Sequence, residues 1–115
     1  MLIILVDDNS LIRTTIREFI EDKEDIIYEF SSGASVIQFL KEERFEPDWI
    51  LLDIKMKSMN GFTTAKQIKL INSNWKIAFI TNYDSHLYQK KAKEIGVNLL
   101  ISKDNLSCLK EAIKS

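Results

Sequence analysis

Cysteine, histidine and proline each occur only once among the 115 residues. Having one cysteine and one histidine limits the chemistry available to the protein. The single cysteine, Cys108, cannot form a disulfide within the chain, so a disulfide-stapled scaffold is excluded. We expect it to pack among neighbouring leucines rather than to do redox chemistry. The single histidine, His86, has no second metal ligand or nucleophile near it in the sequence, and we expect a surface residue. No apolar run approaches the roughly 18 residues of a membrane-spanning helix, so no such helix is expected.

Charge of neither sign dominates the chain. Sixteen lysine and arginine residues nearly balance seventeen aspartate and glutamate residues, and the formal net charge is -1. That balance gives no bulk attraction to nucleic acid or to anionic membranes. The length suits one hydrophobic core, so we predict a single domain over residues 1–115. The first apolar run, 2–6, is followed at once by Asp7 and Asp8, unlike the longer apolar region of a signal peptide, and we therefore expect a cytoplasmic protein.

Five short apolar segments alternate with five segments of helical periodicity. The apolar segments are residues 2–6, 26–30, 47–53, 76–81 and 98–101. Each is followed by apolar residues at the spacings of a helix with one buried face. Strict alternation predicts a parallel sheet with helices on both faces, because each right-handed crossover lays a helix on one side. We predict an α/β, flavodoxin-like, doubly wound (βα)5 fold with a five-stranded parallel sheet in strand order 2-1-3-4-5.

Capping residues set the expected ends of the helices. The candidate N-terminal caps are Asn9 or Ser10 for the first helix, Asp84 or Ser85 for the fourth, and Asp104 or Asn105 for the last. Gly96 occupies the position of a C-terminal capping glycine, and the Asn60-Gly61 pair can adopt positive φ in the loop after the third strand. The charged residues of the last helix, including Lys110 and Lys114, are expected to form a solvated face.

Acidic residues follow two of the predicted central strands. Asp53 ends the apolar run 47–53, and Asp7 and Asp8 directly follow the first strand. Strand order 2-1-3-4-5 places these two strand ends side by side, at the switch point where ligands bind in open α/β sheets. Three carboxylates that close repel one another, so either protons remain on them at raised pKa or a hard cation neutralises them. A small, partly hydrated, all-oxygen site suits Mg²⁺, and we favour the metal.

Hydrogen-bond donors are expected at the same edge of the sheet. Thr81 ends the fourth strand, and Lys103 follows the fifth. A hydroxyl and an ammonium beside carboxylates and a divalent cation form a site for a phosphoryl group held covalently on one aspartate. Asp53 is the candidate nucleophile.

These residues resemble the receiver domain of two-component response regulators, and the resemblance covers the whole chain. It is carried by Asp7-Asp8, by residues 47–53 ending in Asp53, by Met59-Asn60-Gly61, by Thr81, and by residues 96–103 ending in Lys103. The resemblance implies that Asp53 accepts a phosphoryl group from a histidine kinase. It also implies that Thr81 and Lys103 each bond a phosphoryl oxygen.

The same resemblance implies a set of magnesium ligands and a type of output. Asp8 and Asp53 would bind Mg²⁺ directly, Asp7 mainly through water, and the backbone carbonyl of Lys55 would complete the protein ligands. The domain would be a switch that promotes only its own phosphorylation and dephosphorylation. The Lys103-Asp104 pair resembles the NarL-like subgroup of this family. That resemblance implies a DNA-binding, transcription-regulating output domain outside this chain and a homodimer on phosphorylation.

Several positions depart from the usual family pattern. Leu100 stands where an aromatic residue usually swings inward, which weakens a ring-based readout. Asp104 replaces the proline that often follows the lysine across a cis bond, and we expect a trans peptide. Lys57 replaces a frequent proline and should loosen its loop slightly. Lys55 and Tyr83 flank the path of an attacking water without a carboxylate or carboxamide to orient it, so we expect a long-lived phosphorylated form.

Three other functions are compatible with parts of this sequence pattern. Haloacid-dehalogenase-type phosphohydrolases place a second aspartate two residues after the nucleophile, where this chain has Lys55. A flavodoxin-like nucleotide or flavin binder needs a phosphate-cradling loop after the first strand, where two aspartates would repel phosphate. A receiver-like docking module that works without phosphorylation remains the alternative, because Leu100 lacks the aromatic ring of the usual switch.

Overall fold

The computed structural model describes residues 1–42, 44–82 and 85–115. The strands are β1 (Leu2–Val6), β2 (Ile26–Phe30), β3 (Trp49–Asp53), β4 (Ile77–Thr81) and β5 (Leu99–Ser102). The helices are α1 (Ser10–Ile20), α2 (Gly33–Glu42), α3 (Gly61–Ile71), α4 (His86–Ile95) and α5 (Leu109–Lys114), the last preceded by a 3₁₀ helix, Lys103–Cys108. All strand pairs are parallel and the sheet order is β2-β1-β3-β4-β5. The predicted fold class and strand order are confirmed.

Helices cover both faces of the sheet and enclose two apolar clusters. One cluster packs α2, α3 and α4 on the sheet, and it includes Val36, Ile68 and Ala92. The other packs α1 and α5 on the opposite face, through residues such as Ile16 and Leu109. Strands β3 and β4 are buried along their whole length. This double covering explains why their sequences are continuous apolar runs rather than alternating ones.

The capping predictions are confirmed at three helix ends. The side chain of Asn9 accepts hydrogen bonds from the first turn of α1, and the side chain of Ser85 accepts one from Tyr88 N–H in α4. Gly96 ends α4 in the left-handed conformation, with φ of 90°. Asp84, the other candidate cap of α4, lies outside the described residues. Asn at an N-cap and Gly at a C-cap relieve the unpaired backbone groups of a helix end.

The predicted cap of the last helix is wrong. Ser102 caps this segment, since its hydroxyl accepts a hydrogen bond from Asp104 N–H. The segment begins as a 3₁₀ helix that is interrupted by non-helical backbone angles at Asn105. Cys108 is exposed rather than packed among leucines. The predicted inward positions, Leu106, Leu109 and Ile113, are nevertheless buried.

The Asn60-Gly61 pair does not use positive φ. Among the described residues, Gly96 alone has a positive φ. Asn60 instead caps α3, with its side chain accepting a hydrogen bond from Thr63 N–H. Glycine is required at Gly61 by close packing, because a Cβ there would lie 2.3 Å from the backbone oxygen of Asp53.

Lys114 is not part of a solvated face, because it pairs with the turn between α1 and β2. Its ammonium contacts the carboxylates of Asp22 and Asp25, and the N-terminal ammonium lies 3.1 Å from Asp25. The side chain of Asp25 is only 3% exposed. Burial alone would raise the pKa of Asp25, but hydrogen bonds from Lys114, from Asp22 N–H and from the N-terminus lower its pKa to about 2.

Acid is therefore expected to remove stability that depends on Asp25. Its pKa is lower in the folded chain than the ordinary 3.8, so this stabilisation is present above pH 3.8 and is lost as the pH falls toward about 2. Urea unfolding near pH 5 and about pH 2.5 should show a loss of about 1 to 2 kcal/mol that Asp25→Asn does not share. Equal losses in wild type and variant would contradict this assignment.

Within residues 1–42, 44–82 and 85–115, none of the helices is long and apolar enough to cross a membrane.

Candidate functional site at the carboxyl ends of the strands

Strand register places the acidic residues opposite one another. Val6 pairs with Leu52, so the next residues along, Asp7 and Asp53, lie side by side at the ends of β1 and β3. Asp7, Asp8 and Asp53 each offer a carboxylate oxygen, and these oxygens lie within 4.8 Å of one another. Asp7 and Asp53 are buried, whereas Asp8 is exposed. The expected acidic cluster is thus brought together by parallel pairing.

The two predicted donors lie at the ends of the next two strands. Thr81 is buried and pairs in register with Ser102, which directly precedes Lys103. The Lys103 ammonium lies 3.1 Å from Asp7 Oδ2 and 3.2 Å from Asp53 Oδ1. Lys103 therefore bridges two of the three carboxylates. Lys55 is exposed at the start of the loop after β3.

The Asp53 carboxylate is destabilised by its surroundings. Burial raises the pKa of Asp53, the charge on Asp7 raises it further, and Lys103 only partly compensates, so the pKa rises to about 6. Burial lowers the pKa of Lys103, but the charges of Asp53 and Asp7 outweigh it and raise the pKa overall. The pKa of both partners is raised for one reason. The Lys103 ammonium lies between two carboxylates, so the charged form of Lys103 is favoured, whereas the Asp53 carboxylate is buried beside a second negative charge that one ammonium only partly offsets.

Three neighbours that the sequence analysis did not identify fix the acidic residues. Asn9 N–H donates to Asp7 Oδ1 at 2.9 Å, and the Arg13 guanidinium donates to the Asp7 backbone carbonyl at 2.5 Å. Lys57 N–H donates to Asp8 Oδ2 at 3.1 Å. A proline at this position would have no N–H to donate, so lysine in place of the frequent proline allows the hydrogen bond that holds this loop against Asp8. In the sequence, Arg13 looks like an ordinary surface arginine on α1. A hydrogen bond from a backbone N–H depends on no particular side chain. The sequence pattern therefore does not indicate these contacts.

The other departures from the family pattern have mixed outcomes. Leu100 is half-buried on β5 and packs against the cluster that contains Phe79. The Lys103–Asp104 peptide is trans, as expected. Tyr83 lies outside the described residues, so the expectation of a long-lived phosphorylated form stays a prediction.

The residues present fit a small divalent cation. All the offered side-chain ligands are carboxylate oxygens, which are the donors that Mg²⁺ prefers. Oδ2 of Asp7 is buried and makes no hydrogen bond among the described residues, although the Lys103 ammonium lies 3.1 Å from it. A buried carboxylate oxygen without a hydrogen bond is costly. A cation or a water held by one would satisfy it.

A buried aspartate at a strand end, two acidic neighbours and a bridging lysine define a class of phosphoacceptor domains with the flavodoxin-like fold. A family profile described as the response regulator receiver domain matches residues 3–114. The chain belongs to this family and is a receiver domain of phosphorelay signalling.

Individual relatives and solved structures agree with this family. Chemotaxis protein CheY of Halobacterium salinarum is 29% identical over 88% of this chain and 82% of CheY. Response regulator protein VraR of Staphylococcus saprophyticus is 32% identical over 97% of this chain, which spans only 54% of VraR. The crystal structure of a LuxR-family response regulator from Aurantimonas superimposes with a TM-score of 0.88 and 22% identity, covering 98% of this chain and 81% of that one. That last likeness shows the fold alone.

Proposed function

We propose that residues 1–115 form one receiver domain that accepts a phosphoryl group on Asp53 from a histidine kinase. The observation that carries the proposal is the Lys103 ammonium lying 3.2 Å from Asp53 Oδ1 in a buried acidic cluster. An ammonium in that place can hold an oxygen of a phosphoryl group bound to the carboxylate. A structural salt bridge alone would not require two further carboxylates beside it.

The proposed transfer uses the chain's own groups in distinct roles. An oxygen of Asp53 attacks the phosphorus of a phosphohistidine, the P–O bond forms as the P–N bond breaks, and the released imidazole nitrogen takes up a proton. Lys103 neutralises one phosphoryl oxygen, and the Thr81 hydroxyl donates to another. Catalysis by such fixed charges and donors suits phosphoryl transfer, in which positioning and electrostatic stabilisation dominate.

Mg²⁺ is proposed as the cofactor. Asp8 and Asp53 would bind it directly, Asp7 mainly through water, and the Lys55 carbonyl would complete the protein ligands. When bound, the ion neutralises negative charge on the carboxylates and on the phosphoryl group. Lys57 N–H holds Asp8 toward the cluster in advance. The domain promotes only its own phosphorylation and dephosphorylation and turns over no separate substrate.

Incubation with a small phosphodonor such as acetyl phosphate tests the acceptor. Intact-protein mass spectrometry in Mg²⁺ is expected to show a gain of one phosphoryl group on wild type and none on Asp53→Asn. Asp48→Asn is a matched control, because Asp48 is exposed at the opposite end of β3 and should gain the phosphoryl group normally. No gain on wild type would favour the phosphorylation-independent docking module.

The output and setting are also proposals. The VraR and LuxR-family matches, of which the chain spans a part, support a DNA-binding output that regulates transcription and a homodimer formed on phosphorylation. DNA would be contacted only through that output domain. A cytoplasmic location fits a partner kinase that reads a signal elsewhere and delivers the phosphoryl group to this chain.

A further inference from the structure

Basic charge is concentrated on helices α3 and α4. Together they carry five lysines and one glutamate. The rest of the chain carries eleven basic and sixteen acidic residues, so it is net negative. A nearly neutral protein thus carries a local excess of positive charge on two adjacent helices, which attracts negatively charged partners there.

An open groove of about 630 Å³ runs between these two helices. Its apolar lining includes the half-buried Phe62 and Ile95 and the side chain of Leu70, which is 81% exposed. These three side chains form an apolar part of a lining that is otherwise polar and charged. The groove therefore offers contacts for apolar side chains as well as charge.

Lysines line the groove without being neutralised. Within the described part of the chain, neither Lys66 nor Lys91 forms an ion pair, and the Lys91 ammonium lies 5.3 Å from the centre of the Phe62 ring. Lys69 is different, because its ammonium donates to the backbone carbonyls of Ser73 and Trp75. The ammonium groups of Lys66 and Lys91 are thus available to a binding partner, whereas the ammonium of Lys69 is hydrogen-bonded at the end of α3.

We propose that the α3–α4 groove binds an acidic, amphipathic segment of a protein partner. Its apolar residues would cover Phe62 and Leu70, and its carboxylates would pair with Lys66 and Lys91. Nucleic acid fits less well, because phosphates and sugars would leave the apolar part of the lining, Phe62, Leu70 and Ile95, without an apolar partner. None of Asp7, Asp8 and Asp53 lines this groove, so the proposed contacts do not involve the acidic cluster.

The probe for this surface is a fluorescein-labelled synthetic helix with leucines on one face and glutamates on the other. Fluorescence anisotropy should show saturable binding to the full chain, and Lys66→Glu/Lys91→Glu should weaken it by about tenfold or more. The control Lys23→Glu/Lys41→Glu makes the same change of net charge at exposed positions elsewhere, and it should stay within about twofold of wild type. A peptide with lysines in place of the glutamates should not bind.

Amide NMR shifts locate the contact independently. The acidic peptide should shift the amides of Phe62, Lys66, Lys91 and Glu94 most strongly. The proposal is overturned if no saturable binding occurs, if both double variants bind alike, if the largest shifts fall outside α3 and α4, or if duplex DNA binds this face more tightly than the peptide. Phosphoryl transfer enters none of these measurements, so their failure would leave the acceptor role of Asp53 untouched.

Discussion

Replacing Asp53 with asparagine is expected to stabilise the fold while abolishing the proposed function. The wild-type carboxylate is buried beside Asp7, and its pKa rises from the ordinary 3.8 to about 6. Ionising it at neutral pH therefore costs free energy that an uncharged amide of the same shape avoids. Lys103 keeps a partner in the variant, because Asp7 Oδ2 lies 3.1 Å from its ammonium. Without divalent cations, the free energy of unfolding should rise by about 1 to 3 kcal/mol at pH 7.5.

The pH dependence gives this prediction a definite sign. The folded chain holds the Asp53 proton more tightly than the unfolded chain, so wild-type stability from this group falls as the pH rises from about 4 to about 6. The advantage of Asp53→Asn should be absent near pH 4 and complete above about pH 7.

Added Mg²⁺ should reduce the difference in free energy of unfolding between Asp53→Asn and wild type, because a cation bound by the folded wild type stabilises it by mass action. Urea unfolding with a chelator and with added Mg²⁺ measures both effects. Glu24→Gln, which removes an exposed negative charge, is the control and should change stability little. Wild type as stable as Asp53→Asn at pH 7.5 in chelator would contradict the account of the acidic cluster.

The cluster could be predicted from sequence because its residues are fixed by strand ends. Asp7 and Asp53 each end a continuous apolar run, and parallel strands bring their carboxyl ends to one edge. Thr81 and Lys103 follow by the same rule on β4 and β5. Sequence reasoning succeeds here because the end of each apolar run marks a strand end, and the flavodoxin-like strand order places the ends of β1 and β3 side by side.

The contacts that tune the cluster could not be predicted in this way. Lys57 N–H reaches Asp8 only because the loop after β3 folds back over the first strand's end. The last segment is capped by Ser102 and not by the predicted Asp104 or Asn105, because the Ser102 hydroxyl at the end of β5 accepts a hydrogen bond from Asp104 N–H. Both depend on how loops close over the folded sheet, and a loop's backbone hydrogen bonds have no periodic signature in the sequence.

Gly61→Ala is expected to destabilise the protein by about 2 kcal/mol or more, as overpacking against a fixed backbone does. A Cβ at Gly61 would lie 2.3 Å from the carbonyl oxygen of Asp53 and 2.6 Å from Cα of Ile54. Both are backbone atoms at the end of β3, so no side chain can rotate to make room. Gly61 N–H also donates to the Ile54 carbonyl at 2.6 Å, which holds α3 against this strand. The strand end that carries Asp53 would have to shift.

The sign of this effect separates packing from helix propensity. Alanine in a helix is more favourable than glycine by about 1 kcal/mol, so without the close contact Gly61→Ala would stabilise α3. Thr63→Ala, an exposed change two residues further along α3, is the matched control and should stay near wild type. Chemical unfolding measures both variants, and the mass gain from acetyl phosphate reports on Asp53. A Gly61→Ala protein as stable as wild type would show that α3 does not press on the strand end, and the glycine would then have no structural reason at that position.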